Sequence, residues 1–521
     1  MKLPPGWAKA SLSDVTVERV EQREPSTRRV PYVDIGSIDR NVKVIGETQQ
    51  VTGRTAPTRA RQWVRSGDVL VSMTRPNLNA VALVPAALDG AVASTGFDVL
   101  RPLGVLPEWI FYRVRSQTFI QDVCADVQGV VYPAIRPADV RRHEIPLPPV
   151  PEQQRIVDAV ESYLSRIDAA VASLERVRAR LKAYRASVLK YAVEGRVVPT
   201  EAELARKEGR SYEPAQALLA RILKERRRRW EDAELAKMTA AGKAPKDDKW
   251  KAKYKEPAAP ASSKLPNLAE GWCWASVDQV GDVLLGRQRA PQYLTGKCSR
   301  PYLRVANIKD DRIELADIEE MDFDRRHFEK YRLQSGDILV SEGQSPHLVG
   351  QSAIYRGGVD GLCFQKTLHR FRPVDHAPCA EFAQLVFRAH VRMRVFQDVA
   401  SITTNIAHLT LVKFKESRFP LPPAAEQERI VAETQRLLSV ADAVDQQVKV
   451  ERARLTRLRQ AVLRWAFEGK LVDQSPDDEP AQSHSGIRAT SCCRLNSSRI
   501  DVWAAAIFPS SHRHRSVSSS C

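Results

Sequence analysis

Apolar positions recur every seven residues along two long stretches of the chain. In the first, Val160, Ile167, Leu174, Leu181 and Val188 form one row, with Ile156, Tyr163, Ala170, Val177, Tyr184 and Tyr191 as a companion row. In the second, the rows are Thr434, Ala441, Val448, Leu455, Val462 and Ile430, Leu437, Val444, Glu451, Leu458, Trp465. This spacing predicts helices packed along a seam, blemished only at Thr434 and Glu451. Each stretch opens behind a proline-rich stop, with Pro151 in a first-turn position and an acid, Glu152 or Glu426, where the helix dipole favours one. Each closes at a glycine, Gly195 or Gly469, the residue suited to a left-handed C-cap. At about 1.5 Å per residue such a helix is roughly 65 Å long, too long to bury itself against one small domain. Each helix needs a partner, and the other copy, laid antiparallel, is the obvious one.

Before each long helix the pattern changes to short apolar runs bounded by turn residues. Residues 30–35, 68–72, 81–85 and 97–102 predict strands in the first copy, and 300–305, 337–341 and 367–371 in the second. Helical spacing appears at 107–124 (Trp109, Phe111, Tyr112, Val114) and at 378–399 (Phe382, Leu385, Val386, Phe387), which makes each of these regions α+β. Between the copies, 199–264 begins helically and then predicts a Lys- and Pro-rich tether. The run Arg226-Arg227-Arg228-Arg229 in it is either a solvated helix face or a phosphate contact. After Val472 the sequence turns Ser- and His-rich, with a short apolar patch at 502–508, and predicts a disordered tail.

The chain repeats itself. Pro146-Leu147-Pro148-Pro149-Val150-Pro151-Glu152-Gln153-Gln154-Arg155-Ile156-Val157 returns as Pro420-Leu421-Pro422-Pro423-Ala424-Ala425-Glu426-Gln427-Glu428-Arg429-Ile430-Val431, identical at 9 of 12 positions. The same offset holds from 188–198 to 462–472, so the helical part aligns without a gap. Gly6-Trp7 pairs with Gly271-Trp272, and Gly67-Asp68-Val69-Leu70-Val71-Ser72 with Gly336-Asp337-Ile338-Leu339-Val340-Ser341, at smaller, drifting offsets. A duplicated unit with one constant half and one diverged half suggests a scaffold part and a part that reads something.

Composition narrows the class. Hydrophobic residues make up 43% and charged residues 27% of 521, an ordinary globular balance, and no apolar run approaches the roughly 18 residues that span a bilayer. With no signal-peptide core at the start, the expected location is the cytoplasm. Eight cysteines show no C-x-x-C pairing and predict neither a zinc site nor a disulfide framework. Lys and Arg number 80 against 63 acids, a net charge of +17 spread along the chain, as a polyanion binder would carry it.

Catalytic signatures are missing from the sequence. There is no G-x-x-x-x-G-K-[ST] phosphate loop, no [NDS]-P-P-[YF] amino-methyltransferase tetrapeptide and no glycine-rich cofactor loop after a strand. The nearest nuclease-like string, Asp337 with Glu342, lacks its acidic partner in the first copy, which reads Asp68 followed by Met73. His143, His327, His347, His369, His376, His390 and His408 show neither metal spacing nor a nearby nucleophile, and are expected to be structural or solvent-facing.

The Leu3-Pro4-Pro5-Gly6-Trp7 and Leu268-Ala269-Glu270-Gly271-Trp272 openers, the Gly-Asp-[Val/Ile]-Leu-Val-Ser strands, the Pro-Leu-Pro-Pro-x-x-Glu-Gln-x-Arg-Ile-Val helix starts and the Glu-Gly closures occur in this order twice. In these features the chain resembles the specificity subunits of type I restriction-modification systems over about residues 1–472. Ala269 stands where the usual opener has proline, and 473–521 matches nothing in the family, as a foreign or frame-shifted end would.

The resemblance implies an α+β fold with a pseudo-two-fold internal repeat. Target-recognition domains of mixed structure at 1–148 and 267–422 would be joined by two long antiparallel coiled-coil helices, conserved spacers at 149–198 and 423–472. A linker with a basic helix would cover 199–266, and the disordered tail 473–521. It implies a non-catalytic chain that reads a split, asymmetric double-stranded DNA target and docks two methyltransferase (modification) subunits and the restriction/translocase subunits, with no membrane role. S-adenosylmethionine, ATP and Mg²⁺ would serve those partners in adenine N6 methylation and ATP-dependent cleavage, and this chain would bind no cofactor and no metal. Docking and coiled-coil contacts are expected at Glu152, Gln153, Ile156, Val160, Ile167, Leu174, Leu181, Val188, Glu426, Gln427, Ile430, Val448, Leu455 and Val462.

Base reading in the major groove calls for Arg or Lys toward guanine and Asn or Gln toward adenine. The candidates are Arg54, Arg59, Arg61, Arg75, Asn77 and Asn79 in the first copy, where 51–80 also holds Arg65 against the single acid Asp68. In the second copy they are Arg287, Arg289, Gln344, His347, Gln351 and Asn405. Two other readings remain open: a stand-alone metal-dependent nuclease built on Asp337 and Glu342, and a coiled-coil scaffold, with or without DNA affinity.

Overall fold

In the computed structural model, which describes residues 3–483 apart from 126–132, 243–244, 246, 261–264, 375–376 and 404, both heptad stretches are 44-residue helices, Val150–Val193 and Ala424–Phe467. Helices and sheets are mixed throughout. The chain divides into two compact units, Met1–Ala172 with Arg452–Cys521, and Ser173–Glu451. Each unit therefore holds the start of one long helix and the end of the other.

In the first unit, Ala8–Ser11 pairs antiparallel with Glu144–Leu147, which ties the Gly-Trp opener to the foot of the Val150–Val193 helix. A sheet ordered Phe97–Leu100, Val69–Ser72, Val81–Leu83 lies on the Pro107–Arg115 helix. A second, ordered Gln49–Val51, Val30–Val33, Val92–Ser94, Ala60–Trp63, has its own small core. Trp7, Leu12, Trp109, Ile110 and Ile145 pack with Ile156, Val160, Leu164 and Ile167 of one long helix and with Val462, Leu463, Ala466 and Phe467 of the other. Asp168 pairs with Arg459 farther along, so the two helical segments run antiparallel.

The second unit repeats this plan. Cys273–Ser276 pairs with Arg418–Leu421, and a sheet ordered Gly281–Leu285, Leu368–Pro373, Ile338–Ser341, Ser352–Ile354 lies on the Ala380–Arg392 helix. Arg185 reaches Asp442 at 2.7 Å, again across antiparallel segments. The linker helix Ala215–Ala240 buries Leu218 and Ile222 in this unit's core because only that face is apolar. Its arginine run meets carboxylates: Arg226 pairs with Asp278, Arg227 with Glu231, and Arg228 and Arg229 with Glu225. The solvated-face reading of that run holds for Arg227, Arg228 and Arg229, whereas Arg226 is turned inward to Asp278 and the Gly281 carbonyl.

Three expectations need correction. The companion heptad row does not stay in the seam: Tyr163, Tyr184, Tyr191, Val444, Leu458 and Trp465 are each 38–44% exposed, whereas Val160, Ile167, Val188, Ala441, Val448 and Val462 are buried. At the helix starts the companion row is still buried, at Ile156 and Ile430; a straight helix of 3.6 residues per turn drifts away from a strict seven-residue repeat, so farther along the other row keeps to the interface. The tether is structured in part. Asp248–Lys253 forms a 3-10 helix, and Trp250 and Tyr254 lie 6.0 and 5.3 Å from the Trp230 ring, an aromatic cluster that the Lys-Pro composition concealed. The tail is ordered as far as 483: Arg155 holds Asp478 at 2.6 Å and Ala481 is buried, while 484–521, including the 502–508 patch, lie outside the described residues.

Candidate functional site

The constant motif builds the same lock in both units. Trp7 donates its indole N–H to Glu152 at 3.0 Å, and Trp272 donates to Glu426 at 2.8 Å. Gln153 accepts from the Leu106 amide and donates to the Pro148 carbonyl; Gln427 does the same with Cys379 and Pro422. The Glu-Gln pair thus joins three elements at the foot of each long helix: the opener, the next short helix and the proline stop. Burial pushes both Glu152 and Glu426 above the ordinary carboxylate range, against the pull of the indole N–H groups. The far helix end closes the lock. Gly195, at φ +69°, leaves no room for a Cβ, which would sit 2.7 Å from Ala269 and 3.0 Å from Trp272; at Gly469, φ +65°, it would meet Pro4 at 2.5 Å.

Beyond the long helices the resemblance between the units continues into a repeat that reading the sequence missed. Glu213-Pro214-Ala215-Gln216 returns as Glu479-Pro480-Ala481-Gln482. Ala215 donates its amide to the Gly271 carbonyl at 2.9 Å, and Ala481 donates to Gly6 at 3.0 Å. Arg429 grips Glu201 at 2.7 Å, as Arg155 grips Asp478. A four-residue match at its own offset was the signal available.

The Gly-Asp strands are structural in both copies. Arg101 binds Asp68 through Nε and Nη2 at 2.9 and 2.8 Å, and Arg372 binds Asp337 at 2.6 and 2.7 Å. Each Asp also accepts the amide three residues before it, Arg65 or Gln334. With both oxygens of Asp337 committed and Glu342 turned to His408 at 3.4 Å, the pair offers no metal a shared ligand set. Among the described residues no cluster of metal-ligating side chains occurs.

The base-reading candidates separate into two groups. Asn79 is buried and donates its side-chain amide to the Val114 carbonyl at 2.8 Å, while its backbone carbonyl accepts from Lys43. Arg287 is buried, donates to the Asp322 carbonyl and lies 4.1 Å from the Tyr293 ring centroid. Both are packing residues, and the expectation that they read bases is withdrawn: long-range partners absent from their local sequence have taken their donors. Arg61 is exposed and paired with Glu24; Arg289 is exposed, 3.7 Å from Glu319. Arg54, Arg59, Arg75, Asn77, His347 and Asn405 are exposed, and Gln344 and Gln351 half-buried. Arg75 and Asn77 share the turn around Pro76–Leu78, with Arg75 at φ +50°. Gln344 is drawn beside Asn405: its short strand pairs with Ile406–His408, which with Ser401–Thr403 forms a hairpin whose turn carries Asn405. Sequence reading missed that hairpin because it has no glycine, although Ile402, Thr403 and Ile406 around Asn405 were a β-branched signal.

Three of the histidines, His143, His369 and His390, serve the core. Burial pushes His143 down to about 3, beside Arg113, and His390 to about 3, near Arg418; it takes His369 to about 4 although that ring bonds the Leu409 carbonyl at 2.7 Å. His376 lies outside the described residues. Each of the three rings is neutral when folded yet titrates near 6.5 when unfolded, so the unfolded chain binds more protons between those values. The stability they allow is complete above about pH 6.5 and drains away as pH falls toward 4, by at most ~1.4 kcal/mol per unit for each ring. Thermal unfolding should show a midpoint lower at pH 5 than at pH 7. His390→Leu should flatten that dependence, and an unchanged slope would refute the assignment.

The chain is similar throughout to proteins of one kind. The profile of the type I restriction modification DNA specificity domain matches residues 277–450. The type I restriction enzyme EcoDI specificity subunit of Escherichia coli is 24% identical over 398 residues, 73% of this chain and 74% of that one. The StySPI specificity subunit of Salmonella potsdam is 23% identical over 493 residues, 92% of each. Among solved structures, a chain from a study of complex assembly and conformational transition of the type I R-M system superposes with a TM-score of 0.60 at 28% identity, covering 90% of this chain and all of that one. The HsdS subunit from Thermoanaerobacter tengcongensis superposes with a TM-score of 0.50 at 27% identity, covering 90% of this chain and 98% of that one. With the lock, the Gly-Asp strands and the paired helical segments present in both copies, the chain is similar along most of its length to the specificity subunits of type I restriction-modification systems.

Proposed function

We propose that the chain reads a split, asymmetric DNA sequence, one half with each diverged region, and carries out no chemistry of its own. The observation that carries this is the duplicated lock: matching buried contacts at Trp7, Glu152 and Gln153 and at Trp272, Glu426 and Gln427 support two regions whose sequences align only at drifting offsets. A protein keeping its scaffold and varying its faces is built to read two different things. In this reading 1–148 and 267–422 are the target-recognition domains, and 149–198 and 423–472 form an antiparallel coiled-coil spacer that sets the gap between half-sites. Glu201 of the linker and Asp478 beyond the second long helix clasp the helix starts through Arg429 and Arg155.

Two modification subunits would dock on the spacer, and restriction subunits would join them. The outward apolar row suits such docking: Tyr163, Leu458 and Trp465 in one unit, Tyr184, Tyr191, Val440 and Val444 in the other, all at least 38% exposed. S-adenosylmethionine, ATP and Mg²⁺ belong in this reading to those partners. The nuclease alternative loses its ground with Asp337 bound to Arg372. No helix among the described residues is long and apolar enough to cross a membrane.

The test is co-expression with the neighbouring methyltransferase in a methylation-free host, with methyladenine mapped genome-wide. A two-part motif with a fixed gap, methylated only when both proteins are present, is the expected result. Failure of the methyltransferase to co-purify would overturn the reading. DNA affinity of the complex should also fall steeply with salt, as phosphate contacts require.

A further inference from the structure

In the hairpin formed by Ser401–Thr403 and Ile406–His408, Ser401, Ile402, Thr403, Asn405 and Ile406 are exposed. Ser401 pairs with His408, Ile402 with Ala407 and Thr403 with Ile406, so residues directly opposite one another share a face. Ile402 and Ala407 lie on one face; Ser401, Thr403, Ile406 and His408 lie on the other. Ala407 is fully buried, which shows that the base of the ribbon rests on the protein, yet Ile402 is 56% and Ile406 49% exposed. The far end of the ribbon is therefore covered on neither side. An exposed isoleucine is unremarkable alone, but one flanked on a free ribbon by the hydroxyls of Ser401 and Thr403 and by the Asn405 amide is a mixed polar and apolar reading face.

The charge around it fits a duplex. Between 392 and 416 the chain carries Arg392, Arg394, Lys413 and Lys415 against Asp398 and Glu416; Arg392 is held by Asp310 and Lys415 by Asp278, so the ribbon's basic surround is Arg394 and Lys413. Lys413 reaches the ribbon itself, donating to the Ser401 hydroxyl at 3.2 Å. The nearby carboxylate, Glu342, is turned to His408 at the base. A two-stranded ribbon fits the major groove, where the thymine C5-methyl is the apolar group and adenine presents the pattern that Asn recognises.

Resting on the reading of the chain as a DNA specificity subunit, we infer that the 401–408 ribbon enters the major groove of the half-site read by the second unit. Ile406 meets a thymine methyl there, and Thr403 and Asn405 bond the neighbouring base edges. The half-site it reads thus contains at least one A·T pair.

The experiment uses the assembled complex of this chain with its methyltransferase, as wild type, Ile406→Ala and Asn405→Ala. Exposure of both side chains makes folding defects a minor concern, and co-purification of the methyltransferase checks assembly. The methylation motif of Ile406→Ala should relax at one or two positions of one half-site while the other half and the gap stay unchanged. Replacing the contacted thymine by uracil, which lacks the methyl, should weaken wild-type binding about fourfold and leave Ile406→Ala indifferent, the loss of roughly one buried methyl. Unchanged motifs in both variants would overturn the inference while leaving the specificity reading intact. Loss of methyltransferase co-purification would also overturn it, by making the ribbon a protein contact. A wild-type complex that yields no two-part motif would sink the broader reading first.

Discussion

Trp272→Ala is expected to destabilise the Ser173–Glu451 unit by about 4 kcal/mol, lowering its thermal midpoint by about 10 °C. Trp272 is buried, packs edge-on against Phe382 at 6.2 Å between centroids, and supplies the donor for Glu426. Deleting the ring opens a cavity beneath the Gly195 turn and removes one of the two groups that compensate a buried carboxylate, the other being the Glu201 amide at 2.8 Å. Trp272→Phe keeps most of the packing and loses the hydrogen bond, so it should cost about 1–3 kcal/mol. Unfolding of the full chain followed by hydrogen exchange separates the two effects. Protection lost first around 273–276 and 424–431 is the expected signature, and equal stability of the two variants would mean that the hydrogen bond, not the packing, carries the whole effect. Trp7→Ala should behave alike in the other unit, where Trp7 lies 5.9 Å from Trp109.

Arg372→Ala is the second large effect, about 3 kcal/mol. The Asp337 side chain is 1% exposed, and without its guanidinium it keeps one amide donor and an uncompensated charge. Arg372 itself is 30% exposed, which lets water enter and holds the cost to the lower end of the range for a broken buried pair. Adding Asp337→Asn to Arg372→Ala removes the stranded charge and should recover part of the loss. Urea midpoints for the single and double variants check this; a double variant less stable than Arg372→Ala would show that the charge is not the source of the cost. The result also bears on function, because a metal-ligating Asp337 would gain, not lose, from freedom of its carboxylate.

The sequence by itself determined the elements whose causes are local. Heptad spacing, the Pro-Leu-Pro-Pro stops and the closing glycines set the extents of both long helices to within a residue or two, since propensity and capping act within a few positions. The Gly-Asp strands and the helices near 107–124 and 378–399 were legible for the same reason. The duplication pointed to the family, because a match repeated at a fixed offset needs no structure to be seen.

Only the tertiary structure decided which groups were already spent. Asp68 and Asp337 look like chemistry until Arg101 and Arg372, 33 and 35 residues later in the chain, close on them. Asn79 and Arg287 have the side chains of base readers, but their donors go to carbonyls 35 residues away. Which heptad row faces inward depends on the drift of a straight helix against its partner, and the order of 473–483 depends on Arg155, more than three hundred residues earlier. Local pattern prescribes an element and its apolar face; whether a polar group remains free for a ligand depends on long-range packing, which brings together residues that no local window contains.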